Sequence, residues 1–320
     1  MSITEKPDKS VRGWWRMCWE RIATGGITAV SALVGLITVG IIIALAVRSG
    51  PIVREHGLGA LLWGRVWKPD DKLFGFWPYI VGTVWVTALA MILATPVCLL
   101  SAIYLAEYAR PRMRGAIRPL VDVLAGIPSV VYGLFGILLV VPLLSDYVGP
   151  FAQAHWPSLG WLSPGDNKTG YCILAGGIVL ALMVAPVIIA VAEEVMRTIS
   201  VGVREASLAL GATRWETVKH VTLRLALPGL VASVVLGFAR AFGETMAVLM
   251  VVGNVAQSPH SLFDAAYPLP ALIANKYGET MSIPMYDSAL LLAALILLVV
   301  VLGFNLAAEG VLIWARKLAA

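Results

Sequence analysis

The chain has 320 residues, 59% of them hydrophobic and only 13% charged, about half the charged share of a soluble domain. That balance excludes an ordinary soluble enzyme and a disordered chain, and points to an integral membrane protein. The net charge of +5 would suggest nucleic acid in a soluble chain, but here the basic residues sit in short segments beside apolar runs, where they report topology.

Residues 1–26 form a polar, basic segment in which Trp14, Trp15 and Trp19 alternate with Arg12, Arg16 and Arg21, the mixture that suits a membrane interface on the cytoplasmic side. The first apolar run covers 27–47. Ala44-Leu45-Ala46 resembles a signal-cleavage site, but the run before it exceeds a signal core of about 7–15 residues and reads as a span. Further runs follow at 79–105, 117–144, 171–191, 227–252 and 288–314, each sufficient for a hydrocarbon core of about 30 Å. Residues 27–320 therefore read as one all-α domain of six transmembrane helices. Pro96, Pro128, Pro142 and Pro186 are expected to interrupt these spans. With the N-terminus in the cytoplasm, 16 of the 24 lysines and arginines fall inside and 7 outside, with Arg240 left within a span. The positive-inside rule favours that orientation, with both termini cytoplasmic. The outer loops, 48–78, 145–170 and 253–287, are rich in Trp, Pro and Gly. They either receive a soluble partner or cap the helix ends.

Residues 194–228 are the long polar interruption of the second half. Residues 203–210 favour helix, with Glu205 near the start, where a helix N-terminus attracts an anion. Gly211 then supplies the left-handed residue that ends a helix. Thr213 and Glu216 form a Thr-x-x-Glu capping box that opens a second helix at Arg214. The expected shape is helix, glycine elbow, helix.

Within the fifth run, Arg240 and Glu244 stand four residues apart, so an unbroken helix puts both on one face. Ionisable groups at membrane depth are costly and face a bundle interior or a polar path. The pair reads either as a packing salt bridge or as an anion path in which Glu244 holds Arg240 and competes with the anion for it. In the third run, Gly126-Ile127-Pro128-Ser129 breaks the helix and starts a new one near Ser129, a kink for packing or a half-helix facing an anion. No G-x-x-x-x-G-K-[ST] loop, G-x-S-x-G or H-E-x-x-H occurs. Cys18, Cys98 and Cys172 lie far apart, and His56, His155, His220 and His260 are scattered over loops. No metal-ligand spacing and no catalytic constellation is expected.

Glu205-Ala206-Ser207, three residues and Gly211 resemble the EAA loop of ABC-importer permeases. Ser207 replaces the motif's last alanine, and Arg224 stands where its proline belongs, with Leu227-Pro228 a turn later. The start of the fifth helix is therefore open by about a turn. Gly126 to Gly133 and Arg240-Ala241-Phe242-Gly243-Glu244-Thr245-Met246-Ala247-Val248 are similar to permeases of the high-affinity phosphate (Pst) importer. The Met246-Ala247-Val248 continuation and Ala271-Leu272-Ile273-Ala274-Asn275 are closer to its PstC-like subunit. The resemblance implies the type I ABC-importer permease fold in a plasma or inner membrane. It implies a second, PstA-like permease, a PstB-like ATPase dimer and an external PstS-like phosphate-binding protein. It implies no cofactor on this chain, with ATP and Mg on the partner ATPase. Glu205, Ala206, Gly211, Thr213 and Glu216 would form the coupling loop, and Arg240, Glu244 and Ser129 would border the phosphate path. Sulfate or molybdate is the nearest substrate alternative. An ATP-independent transporter or channel would survive deletion of 198–219.

Overall fold

The computed structural model describes residues 9–155, 160–163, 167–278 and 285–319, without the side chains of 9–18, 312 and 314–319. The interfacial roles of Arg12, Trp14, Trp15 and Arg16, the pairing state of Cys18 and the contribution of Arg316 and Lys317 to topology thus lie outside the described residues. Six helices of the described chain are long and apolar enough to cross a membrane.

Helix α1, Lys9–His56, runs from the polar N-terminal segment through the first span without a break. Among its described side chains it is exposed along most of its length and buries only Ser49 and Ile52 near its end. Aliphatic side chains lose nothing there, because lipid tails are as apolar as leucine. A short helix α2, Leu58–Trp63, leads into the antiparallel hairpin β1, Trp67–Lys68, and β2, Leu73–Phe74. Trp67 fills the centre of an aromatic cluster, with Phe74, Phe76, Tyr79 and Tyr286 at ring-centroid distances of 5.0 to 5.9 Å.

Helix α3, Trp77–Ile103, continues through a widened, π-type turn at Tyr104–Tyr108. Next comes α4, Pro111–Ala125, a separate helix with Arg112, Arg114, Arg118 and Asp122 on it. The third span therefore starts at Ser129, not at 117. A hydropathy window merges α4's exposed Leu120 and Val123 with the span that follows, although α4 is amphipathic and ends at Gly126. The span itself is α5, Ser129–Phe135, α6, Val141–Leu143, and α7, Gly149–His155, joined by π-type turns at Gly136–Val140 and Leu144–Val148. Pro142 sits between these turns, where the ladder is already loosened around the missing N–H. Pro96 and Pro186 do not interrupt their helices, contrary to expectation.

Helix α8, Ile173–Arg197, is the central element. It lies against α3 with small buried residues on both helices, Ala90 and Ala94 on α3 and Ala175, Gly176, Gly177 and Ala181 on α8, and Gly176 and Gly177 receive Val86 and Leu89 of α3. Small residues let backbones approach closely where burial from water cannot drive association. Helices α9, Val201–Ala209, and α10, Arg214–Thr217, form the elbow. A π-type turn at Val218–Thr222 carries α10 into α11, Leu223–Phe242. The fifth span is thus helical from Arg214 onward, not from 227, and Pro228 lies inside it. The chain ends in α12, Met246–Val251, α13, Leu269–Lys276, and α14, Tyr286–Ala319.

At the end of the bundle away from the elbow, residues 160–163, 167–172 and 252–269 are a packed cap rather than open loops. Ala266 N–H donates to the Val252 carbonyl at 3.1 Å, and Ile173 N–H to the Asp264 carbonyl at 3.0 Å. The Asn167 amide donates to the Phe263 carbonyl at 2.6 Å, and Leu269 N–H to the Thr83 hydroxyl at 2.9 Å. Asn275, from the last sequence motif, donates to the Tyr267 hydroxyl at 2.8 Å.

Candidate functional site

The elbow has the expected shape. Helix α9 ends at Ala209, and Gly211 takes φ +88°. A Cβ there would meet nothing within 4 Å, so the conformation, not the space, requires glycine. Thr213 N–H donates to the Glu216 carboxylate at 2.8 Å, and Glu216 N–H to the Thr213 hydroxyl at 3.3 Å, completing the capping box. Ser207, the residue that departs from the alanine pattern, shares a 2.9 Å hydrogen bond with Thr217 and ties α9 to α10. Glu205 and Ala206 are exposed. So are Val201, Leu208, Leu210 and Trp215, an apolar face that no described residue covers.

The elbow is held from behind by charges the sequence reading did not single out. Arg204 donates to Glu107 Oε1 at 2.8 and 3.1 Å, and to the carbonyls of Met196 and Ile199 at 2.8 and 2.7 Å. The Arg214 guanidinium lies over the Tyr108 ring, 5.5 Å from its centroid. On α4, Arg118 meets Glu194 at 2.6 Å, a hydrogen bond that pushes the guanidinium pKa up from its ordinary value. Glu193 is buried between Arg114 at 3.8 Å and Arg197 at 3.6 Å. The available signal was position: each acid ends an apolar run just where a basic segment starts, and Arg197 lies four residues after Glu193, but the partners on α4 and α9 are distant in sequence.

The second cluster sits at two helix breaks. Gly126 and Ile127 close the end of α4 through 3.1–3.2 Å bonds to Val123, Asp122 and Leu124 carbonyls, and α5 opens at the half-buried Ser129. The Tyr132 hydroxyl spans the break and donates to the Leu124 carbonyl at 2.9 Å. The break at Gly-Ile-Pro is as expected, and Tyr132 adds a side-chain bond to a carbonyl that also accepts from Ile127 N–H. The other break separates α11 from α12 at Gly243-Glu244-Thr245.

That second break corrects the expected geometry of Arg240 and Glu244. The helix ends at Phe242, so four-residue spacing no longer puts the two on one face. They form no ion pair among the described residues. Glu244 turns instead to the start of α12, where its Oε1 accepts from Ala247 N–H at 3.3 Å. Arg240 is exposed on this chain and lies within electrostatic reach of the Tyr132 phenol.

The two half-helices pack in parallel. Gly133 faces Ala247 and Met250, and Gly136 faces Val251. Ser129 and Glu244 precede the same contact by about one turn, so both breaks lie at one level of the bundle. A Cβ on Gly133 would come within 2.5 Å of Met250 Sδ and 3.2 Å of the Ala247 Cα. Gly133→Val is expected to force α12 away from α5 and to cost about 1–3 kcal/mol. Thermal unfolding of the purified protein checks this, and an unchanged midpoint would contradict the close approach.

The family model for "Binding-protein-dependent transport system inner membrane component" matches residues 98–311. A probable phosphate transport system permease protein PstC of Methanocaldococcus jannaschii is 32% identical over 259 residues, 80% of this chain and 82% of that protein. A phosphate transport system permease protein PstC of Xylella fastidiosa is 36% identical over 244 residues, 75% of this chain and 74% of that one. Among solved structures, a bacterial ABC transporter involved in the import of the acidic polysaccharide alginate aligns with a TM-score of 0.55 at 17% identity, covering 94% of this chain and 99% of that one. With six apolar helices, a glycine elbow and this match, the chain belongs to the family of inner membrane components of binding-protein-dependent transport systems and has the ABC-importer permease fold.

Proposed function

We propose that this chain is the PstC-like permease subunit of an ATP-driven importer of inorganic phosphate and supplies half of the ion's path. The observation that carries this reading is Arg240, a cation without a carboxylate partner among the described residues, set beside two helix breaks at one level of the bundle. A cation at membrane depth needs a counter-charge. A passing oxyanion supplies one, and the guanidinium fork matches its geometry. Glu244, occupied with the Ala247 amide, leaves Arg240 available and orders the start of α12. Ser129 lies at the same level. The relatives named as phosphate permeases support phosphate over sulfate or molybdate.

In this reading the elbow faces the cytoplasm, as do both termini. The exposed Leu208, Leu210 and Trp215 seat in a groove of a PstB-like ATPase dimer, which carries ATP and Mg. A PstA-like permease completes the path, and a PstS-like binding protein delivers the ion at the capped end. ATP binding closes the ATPase dimer and moves the elbow, the bundle opens to the outside, and hydrolysis resets it. No covalent chemistry falls to this chain.

The test is the ATPase rate of the purified complex of this chain with its partner subunits in proteoliposomes. Phosphate-loaded binding protein is expected to raise the rate severalfold. Silence to phosphate together with a response to a sulfate-loaded binding protein would overturn the substrate assignment.

A further inference from the structure

We propose that the turn Tyr104–Tyr108 at the end of α3 is the joint that carries elbow motion to the helix break at Gly126–Pro128, with Glu107 and Arg114 as its positioning residues. The proposal rests on the elbow being gripped by an ATPase, as above, and does not depend on which ion is moved.

Chain connectivity poses the problem. The elbow is joined covalently to α8 on one side and to α11 on the other. Nothing covalent links it directly to α4, the helix that leads into the break. Motion reaching that break must cross a side-chain contact, and the five-residue turn provides one on every side. Its π-type geometry displaces the regular backbone ladder. The Leu105 and Ala106 carbonyls then accept from Arg114 of α4 at 2.8 and 2.7 Å. Its next residue, Glu107, takes both bonds from Arg204 of α9, while Arg204 also closes the end of α8 through Met196 and Ile199. Tyr108 underlies Arg214 of α10. One turn of backbone thus holds α4, α8, α9 and α10.

The bonds suit a stiff joint. Glu107 and Arg204 side chains are only 9% and 18% exposed, so salt screens them little. A guanidinium gripping several acceptors through its fixed fork resists rotation more than a single point contact does. Arg114 is likewise committed to two carbonyls and stands beside the buried Glu193. Beyond α4 the chain is soft. Gly126 to Pro128 is irregular, and among the described residues a single side-chain bond, from Tyr132 to the Leu124 carbonyl, spans it. A stiff arm next to a soft segment concentrates bending at the break, which adjoins Ser129 and the α5–α12 contact.

The experiment uses the assembled complex with Cys18, Cys98 and Cys172 replaced by alanine and Ile127→Cys added as a probe of the break. The rate at which a water-soluble maleimide labels this thiol is compared without nucleotide and with ATP held unhydrolysed, with and without Glu107→Gln. In the parent complex ATP is expected to change the rate. In the Glu107→Gln complex ATP hydrolysis persists, while the nucleotide-dependent change shrinks by about tenfold or more, the scale set by losing one charge-assisted hydrogen bond. Glu107→Asp, which keeps the charge, recovers part of the response. A Glu107→Gln complex that answers ATP as the parent does would overturn the joint. So would one in which hydrolysis and labelling response fall together, since that marks loss of assembly rather than of transmission. A parent thiol that ignores ATP because no ATPase binds the elbow would overturn the functional reading and the joint with it.

Discussion

Arg240→Ala is expected to abolish uptake while the protein still inserts and assembles with its partners. The assembly half of this expectation follows from the absence of an ion pair: removing Arg240 strands no carboxylate among the described residues, because Glu244 is held by the Ala247 amide. Had the two been paired along one helix, the same change would have left the half-buried Glu244 without its counter-charge. The transport half follows from the cost of a dianion in low dielectric. Losing a desolvated counter-charge lowers the rate by about a hundredfold or more. Arg240→Lys keeps the charge but not the planar fork and should retain part of the uptake. Labelled phosphate uptake in proteoliposomes, with subunit stoichiometry measured in parallel, checks both halves. Normal uptake by Arg240→Ala would remove the anion path from this residue.

Leu210→Asp is expected to release the ATPase without disturbing the permease itself. Leu210 is 90% exposed and immediately precedes the left-handed Gly211, so its side chain supports no packing among the described residues. A large aliphatic group so fully exposed at a rigid corner has the character of an anchor for a pocket on a partner. Truncating such an anchor commonly costs 2 kcal/mol or more, a loss of about thirtyfold in affinity, and a buried carboxylate adds its own desolvation cost. The measurement is co-purification of the ATPase with the variant, alongside thermal unfolding of the variant alone. Retained co-purification would place the grip elsewhere on the elbow. Gly211→Val makes a useful companion, because it strains the corner through its φ of +88° while leaving the apolar face in place.

Some elements were legible because their cause is local. Thr213 and Glu216 are three residues apart, and their reciprocal bonds need no help from the rest of the fold. Gly211 announces a positive φ, and Gly126-Ile127-Pro128 announces a break, since proline disfavours helix in the residue before it. Other expectations failed where a local rule met a tertiary choice. The i,i+4 rule for Arg240 and Glu244 presumes a continuous helix, and Gly243 ends it. Hydropathy merged α4 with the third span and began the fifth at 227, because a sliding average cannot separate an amphipathic helix from the apolar run it adjoins.

By itself the sequence determined six membrane crossings, the elbow with its cap, and the presence of an arginine within the fifth apolar run. Each follows from period, length or a few adjacent residues. Only the tertiary structure decided that Glu107 meets Arg204, that Glu193 and Glu194 meet arginines on α4, that Tyr132 spans the break, and that Glu244 turns to α12 instead of to Arg240. For the three acids the reason is range: which arginine each meets across the bundle depends on helices dozens of residues apart arriving side by side, and no spacing along the chain records that. For Tyr132 and Glu244, whose partners lie eight and three residues away, the reason is where the helices break, which the packing of α5 against α12 fixes.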